Sequence, residues 1–240
     1  MSPVTPRRIA SGFTLMELLV VVGLIAGMSF FLLRGFSGGS GTSLQAGQAQ
    51  LANLITAARG KAATTGRRTR VLIHADALTN PDRRFLRFVV LQLANDATAS
   101  PAGWTTVDSG FLPENIFVVP SSLTLASGLV ADTSAWKKVT APVEDVVSDL
   151  LGQTVSVTVE GDSAAQTFAG FVCTPNGTLG SVNGGFPPKG LLVLAVGAAR
   201  APGSYAAGDA PVQLQRPEAV RGLAVSAYGI PTLLNDLASL

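Results

Sequence analysis

Hydrophobic residues are distributed unevenly along the chain, and the longest apolar run lies within the first forty residues. From Phe13 to Leu33 the only charged residue is Glu17. A helix rises 1.5 Å per residue, so a helix over these positions would be roughly 30 Å long, about the thickness of a bilayer core. The pattern therefore predicts a transmembrane helix over residues 13–34.

Helical periodicity returns after a glycine-rich stretch. Four glycines in the segment Arg34–Ser43 predict a hinge over residues 35–43. Beyond it, apolar residues recur at helical spacing and form one narrow stripe, which predicts a helix that packs one face on a sheet. The stripe consists of Leu44, Leu51, Ile55, Ala58 and Ala62.

The remainder of the chain has the pattern of short strands separated by turn residues. A short helix is predicted over 141–151, with Pro142 in its first turn, and residues 120–150 have no assigned role. Together these elements predict an α+β fold, in which a long N-terminal hydrophobic helix packs on a mostly antiparallel β-sheet. The predicted strands cover residues 71–76, 84–94, 154–160, 166–173, 190–196, 211–216 and 222–229.

Composition and charge narrow the classes of function. Hydrophobic residues make up 47% of the chain, enough for a sizeable core. The net charge of +2 is due to Arg7 and Arg8, so the chain beyond Gly12 is neutral and gives little support for a nucleic-acid partner. Cys173 is the only cysteine and His74 the only histidine, which excludes an internal disulfide and any site that needs two imidazoles.

The sequence contains no recognisable catalytic or metal-binding motif. His74 alternates with Leu72 and Asp76 in a predicted strand, and no nucleophile-elbow motif accompanies it, so a structural histidine is predicted. Asp209 and Asp236 lack the spacing of a calcium loop. We therefore expect no cofactor, no metal and no enzymatic activity.

The segment 59–70 is basic and contains no acidic residue. Arg67, Arg68 and Arg70 form a candidate basic patch that could contact DNA. The alternative is a solvated helix end, where cations are favoured by the helix dipole. The second interpretation is favoured because no aromatic residues interleave the basic ones.

Three interpretations of the N-terminal segment compete. A secretory signal peptide would be cleaved after the apolar run. A plain signal anchor leaves Glu17 unexplained, because a carboxylate costs about 2.5–3.5 kcal/mol at the centre of a membrane. The third interpretation accounts for Glu17 and rests on the sequence SGFTLMELLVVVGLIA, residues 11–26.

This sequence resembles the leader and N-terminal helix of type IV prepilins and type II secretion pseudopilins. The matching positions are Gly12, Phe13, Thr14, Leu15 and Glu17. The resemblance implies that a prepilin peptidase, a membrane aspartyl enzyme, cleaves between Gly12 and Phe13 and N-methylates Phe13. It also implies that Glu17 guides assembly. A buried carboxylate needs a partner, and the amino group of Phe13 on a neighbouring subunit would supply one.

The sequence LITAARGKAATTGRRTRVLI, residues 54–73, is similar to the minor pseudopilin H and pilin T group. The expected function is that of a minor pilin or pseudopilin, a structural subunit of a type II secretion pseudopilus or type IV pilus-like filament. The alternative is a DNA-binding minor pilin of a DNA-uptake pilus. The expected domains are a leader over 1–12, the helix over 13–34, the hinge over 35–43 and a soluble pilin-like domain over 44–240.

The expected partners are prepilin peptidase, other filament subunits and, before assembly, inner-membrane lipid. Arg7 and Arg8 precede the apolar run, so the positive-inside rule places the N-terminus in the cytoplasm. The expected location is therefore the inner membrane, with a single span and a periplasmic C-terminal domain, followed by a periplasmic or extracellular filament.

Overall fold

The structure is a computed structural model, and it divides the chain into two compact units, Met1–Gly39 and Ser40–Leu240. The residues that it describes are 16, 18–22, 24, 40–78, 83–96, 103–120, 148–183, 190–201, 203–204, 211–214 and 219–235.

A six-stranded antiparallel sheet forms one half of the second unit. Its order is β3-β2-β1-β6-β5, and β7 also pairs with β6. Strand β1 lies at the centre, where Leu72 faces Val90 of β2 on one side and Gly170 of β6 on the other. The strands are β1 (Thr69–His74), β2 (Phe88–Ala94), β3 (Trp104–Phe111), β5 (Thr154–Val157), β6 (Gln166–Cys173) and β7 (Leu179–Ser181).

A five-stranded antiparallel sheet forms the other half. Its order is β11-β10-β8-β4, and β9 pairs with the end of β8. The central strand β8 has a run of six buried residues, because it pairs with β10 on one side and with β4 on the other and faces the core. The strands are β4 (Ile116–Val118), β8 (Leu191–Ala199), β9 (Val212–Leu214), β10 (Val220–Val225) and β11 (Pro231–Leu234).

Helix α1 (Ser40–Thr65) packs against both sheets. Its predicted stripe is confirmed as its buried face, since all five side chains are at most 3% exposed and belong to the main hydrophobic core. Gln48 ties the helix to the second sheet by donating to the carbonyl oxygens of Gly222 and Leu234. The helix begins within the stretch 35–43 that was predicted to be a hinge.

The two sides of the six-stranded sheet carry separate hydrophobic clusters. Val71 and Ile73 of β1 face α1 and join the main core, whereas Leu72 lies on the opposite side. There it packs with Phe88, Val90, Val157, Val159 and Phe168. Because of this alternation, every second side chain of β1 lies on the side of the sheet that faces away from the helix.

The predicted α+β fold with a long N-terminal hydrophobic helix packed on a sheet is wrong. The described residues are mostly antiparallel β-structure in two sheets, and the helix that packs on them is α1. The fold differs from the prediction because most of the described interior comes from strand residues such as Phe117, Phe171 and Leu194. Of the predicted short helix over 141–151, the described part is a 3-10 turn at Asp149–Leu151.

The predicted single-pass location in the inner membrane is also contradicted. Within the described ranges, no helix combines the length and the hydrophobicity that crossing a bilayer requires. Helix α1 is long enough, but polar side chains such as Gln45, Asn53 and Lys61 are spread along it. Most of the predicted span over 13–34 lies outside the described residues.

Candidate functional site

The described residues of the apolar N-terminal segment are helical and strongly exposed. Met16, Leu18–Val22 and Leu24 have exposed fractions between 48% and 77%. Several strongly exposed apolar side chains close together in the sequence are typical of an interaction surface. The predicted site residues Gly12, Phe13 and Glu17 lie outside the described residues.

His74, at the end of β1, is completely buried. Its Nε2 lies 2.8 Å from Oε1 of Gln166, and its ring meets the Phe168 ring edge-on at a centroid distance of 5.2 Å. Burial lowers the pKa of His74, and the hydrogen bond to Gln166 and the charge of Asp76 oppose that shift only in part. Its Nδ1 is buried and has no hydrogen-bond partner among the residues that the structure describes. None of these contacts brings a nucleophile against the ring. They are the contacts of a neutral histidine in the protein interior.

Cys173, at the end of β6, is buried in the main core. Burial raises the pKa of its thiol to about 11, although a hydrogen bond with Thr69 opposes the shift. Since the thiolate is the reactive form, this cysteine is chemically inert in the folded chain.

The structure separates the three arginines of the candidate basic patch. Arg67 is exposed and Arg68 is partly exposed. Arg70 is only 7% exposed, because it lies on β1 on the same side of the sheet as Leu72. Arg70 is therefore not part of an exposed basic surface.

Arg70 instead belongs to a polar cluster that crosses three strands. Its Nε donates to Oε1 of Gln92 over 2.7 Å, and Nε2 of Gln92 donates to Oγ1 of Thr106 over 3.1 Å. The guanidinium lies over the ring of Trp104, with Cζ 4.3 Å from the ring centroid. Burial lowers the pKa of Arg70 to about 10, so the residue remains charged at neutral pH.

This cluster was not predicted from the sequence. The signal for the burial of Arg70 is its alternation with Leu72 and His74, which places all three on one side of a strand. The contact with Trp104 has no local signal, because it depends on β2 and β3 pairing side by side.

An open groove of about 510 Å³ lies between α1 and strands β2 and β3. The helix contributes three alanines, Ala46, Ala49 and Ala57, together with larger uncharged residues. Of its lining residues, Asp108 is the only ionisable one. The groove therefore lacks the pair of titratable groups that acid–base chemistry usually requires.

Within the described ranges, no three histidine, cysteine, aspartate or glutamate residues come together as a potential metal site. Asp209 and Asp236, which were considered for calcium, lie outside those ranges. Comparison with protein-family models, with curated proteins and with solved structures finds no match for this chain.

Proposed function

We propose that the protein is a minor pilin or pseudopilin, a structural subunit of a type II secretion pseudopilus or type IV pilus-like filament. In this proposal prepilin peptidase cleaves the chain between Gly12 and Phe13 and methylates the new amino group of Phe13. Other filament subunits are its partners, and Glu17 pairs with one of them during assembly.

The observation that carries the proposal is the sequence around the cleavage junction. Gly12 is followed by Phe13, and Glu17 is the fifth residue after the junction, directly before a long uncharged run. A carboxylate at the edge of such a run is expensive to bury alone. Pairing with an amino group on a neighbouring subunit would offset that cost and fix the register between subunits.

The exposure of the apolar segment supports the same proposal. Leu18 and Leu19 are 62% and 66% exposed, and Leu24 is 62% exposed. Exposed apolar side chains gain free energy by packing against other chains. A filament of neighbouring subunits provides that packing.

The test is the mature N-terminus of the full chain, produced in cells with and without prepilin peptidase and measured by mass spectrometry. We expect a chain that begins at N-methylated Phe13 when the peptidase is present and at the original N-terminus when it is absent. Gly12→Val should block cleavage, because a branched side chain next to the scissile bond obstructs the active site. Gly23→Val, the same change inside the apolar run, is the matched control and should be cleaved normally.

Two results would contradict the proposal. An unprocessed N-terminus in the presence of an active peptidase would rule out the proposed function as a filament subunit. Cleavage after the apolar run, independent of the peptidase, would instead identify a secretory signal peptide.

A further inference from the structure

Arg70 is a buried charge on the side of the six-stranded sheet that faces away from α1. Its neighbours in register are Gln92 on β2 and Val172 on β6, and Gln92 in turn faces Thr106 on β3. Trp104 supplies an aromatic face for the guanidinium. The position is built by three adjacent strands and does not depend on a loop.

No carboxylate neutralises this charge among the residues that the structure describes. The recorded partners of Arg70 are the amide oxygen of Gln92 and the ring of Trp104, and both are uncharged. A buried cation without an anion is costly, even when a ring face offsets part of the desolvation. An anion from outside the chain would remove that cost.

The hydrogen-bond donors that remain are suited to an oxyanion. A guanidinium has five N–H donors in a planar fork, and the bond to Gln92 uses only the one on Nε. Arg70 keeps 7% of its surface exposed, so its side chain is not completely sealed from solvent. The Oγ1 atom of Thr106 accepts from Gln92, which leaves its own hydroxyl proton free to be donated.

We propose that Arg70 and Thr106, beside the ring of Trp104, form a binding site for an oxyanion, namely a phosphate or a carboxylate group. The terminal N–H groups of Arg70 bind two oxygens of the anion side by side, which is the geometry in which arginine binds both groups. Gln92 positions both donors, because it accepts from Arg70 and donates to Thr106. This site is independent of the filament function proposed above.

The test uses the fluorescence of Trp104, which lies against the guanidinium. Trp136 is the other tryptophan of the chain, so Trp136→Phe leaves Trp104 as the only tryptophan, whose emission is excited selectively at wavelengths that tyrosine does not absorb. The full-length chain with this change is titrated with sodium phosphate, sodium acetate and sodium chloride at equal ionic strength. We expect a saturable change in Trp104 emission with phosphate or acetate and none with chloride. If only phosphate gives a saturable change, the group that the site binds is a phosphate. If acetate gives one, the site binds a carboxylate.

Three further variants in the same background test the assignment. Arg70→Gln should abolish the response, and Thr106→Val should weaken the affinity roughly two- to tenfold through the loss of one hydrogen bond. Arg67→Gln removes the same charge from an exposed neighbour and should bind as tightly as the parent chain.

The proposal would be overturned if neither phosphate nor acetate gave a saturable change, or if Arg70→Gln responded like the parent chain. Circular dichroism establishes that each variant is folded. If Arg70→Gln does not fold, Thr106→Val decides, and an unchanged affinity in that variant contradicts the site.

Discussion

Lowering the pH from 7 to 5 should destabilise the fold through His74, which is the only histidine of the chain. With Oε1 of Gln166 as its partner, Nε2 is the protonated nitrogen of the neutral ring. A second proton would have to reside on Nδ1, which is buried and has no acceptor within the described part of the chain. The charged ring would also lie in an apolar environment against Phe168, with Arg84 close enough to oppose it electrostatically.

The size of the effect follows from proton linkage. Burial lowers the pKa of His74 in the folded chain, whereas the unfolded chain keeps the ordinary value of 6.5. The unfolded state therefore binds more protons below pH 6.5, and the free energy of unfolding falls as the pH falls, until the folded pKa is reached. The loss between pH 7 and pH 5 is therefore less than about 2 kcal/mol, which is the limit for a histidine that stays neutral in the fold throughout.

Urea denaturation at pH values between 5 and 7.5 measures this loss, and His74→Gln is the matched variant. The variant has lower stability at neutral pH but should show a much flatter dependence on pH in this window. Carboxyl groups contribute little there, because their ordinary pKa values lie near 4. Equal slopes for the parent chain and the variant would refute the reasoning, as would a parent chain equally stable at pH 5 and pH 7.

Three further predictions concern the core. Ile55→Ala in the buried stripe of α1 should lower the free energy of unfolding, measured by urea denaturation, by about 2–5 kcal/mol. Thr56→Ala on the exposed side should lower it by less than about 0.5 kcal/mol. Equal effects of the two changes would contradict the assigned helix face. Gly170→Ala should cost about 1–3 kcal/mol, because its Cβ would overlap a carbonyl oxygen of β1. Gly180→Ala has open space around it, so a similar thermal shift in both variants would disprove that clash. Cys173 should react with a thiol reagent only when the chain is unfolded, and fast labelling of the native chain would contradict its burial.

Local patterns in the sequence predicted the elements that carry strong periodicity. The stripe from Leu44 to Ala62 is buried as predicted, because a helix that packs one face on the core and leaves the other exposed buries a stripe of side chains at helical spacing. The strand predicted over 166–173 has the same bounds in the structure, since a run of apolar and aromatic residues there ends at a turn.

Elements defined by long-range pairing could not be read from local patterns. Strand β3 is largely exposed and polar, so Trp104–Phe111 has little of the hydrophobic signal of a strand. Strands β4 and β7 have only three residues each. They form because β4 pairs with β8 and β7 pairs with β6. Their assignment to the two sheets follows from the packing of the whole unit.

The candidate site, too, was predicted only in part from local patterns in the sequence. The basic segment was visible in the sequence, but it suggested an exposed patch that included Arg70. Alternation along β1 places that residue with Leu72 on a buried side of the sheet. Its contact with Trp104 arises only when β2 lies between them, so no spacing in the sequence could reveal it.

Assembly through the N-terminal segment is the central claim, and cross-linking between copies tests it most directly. Leu19→Cys in the full chain places a thiol on the exposed apolar helix, and Leu78→Cys, at an 86% exposed position, is the control. After mild oxidation in cells that contain prepilin peptidase, Leu19→Cys should give disulfide-linked multimers and Leu78→Cys should remain monomeric. Adding Glu17→Gln should abolish the multimers. Monomeric Leu19→Cys, or multimers that persist without the carboxylate, would contradict the account.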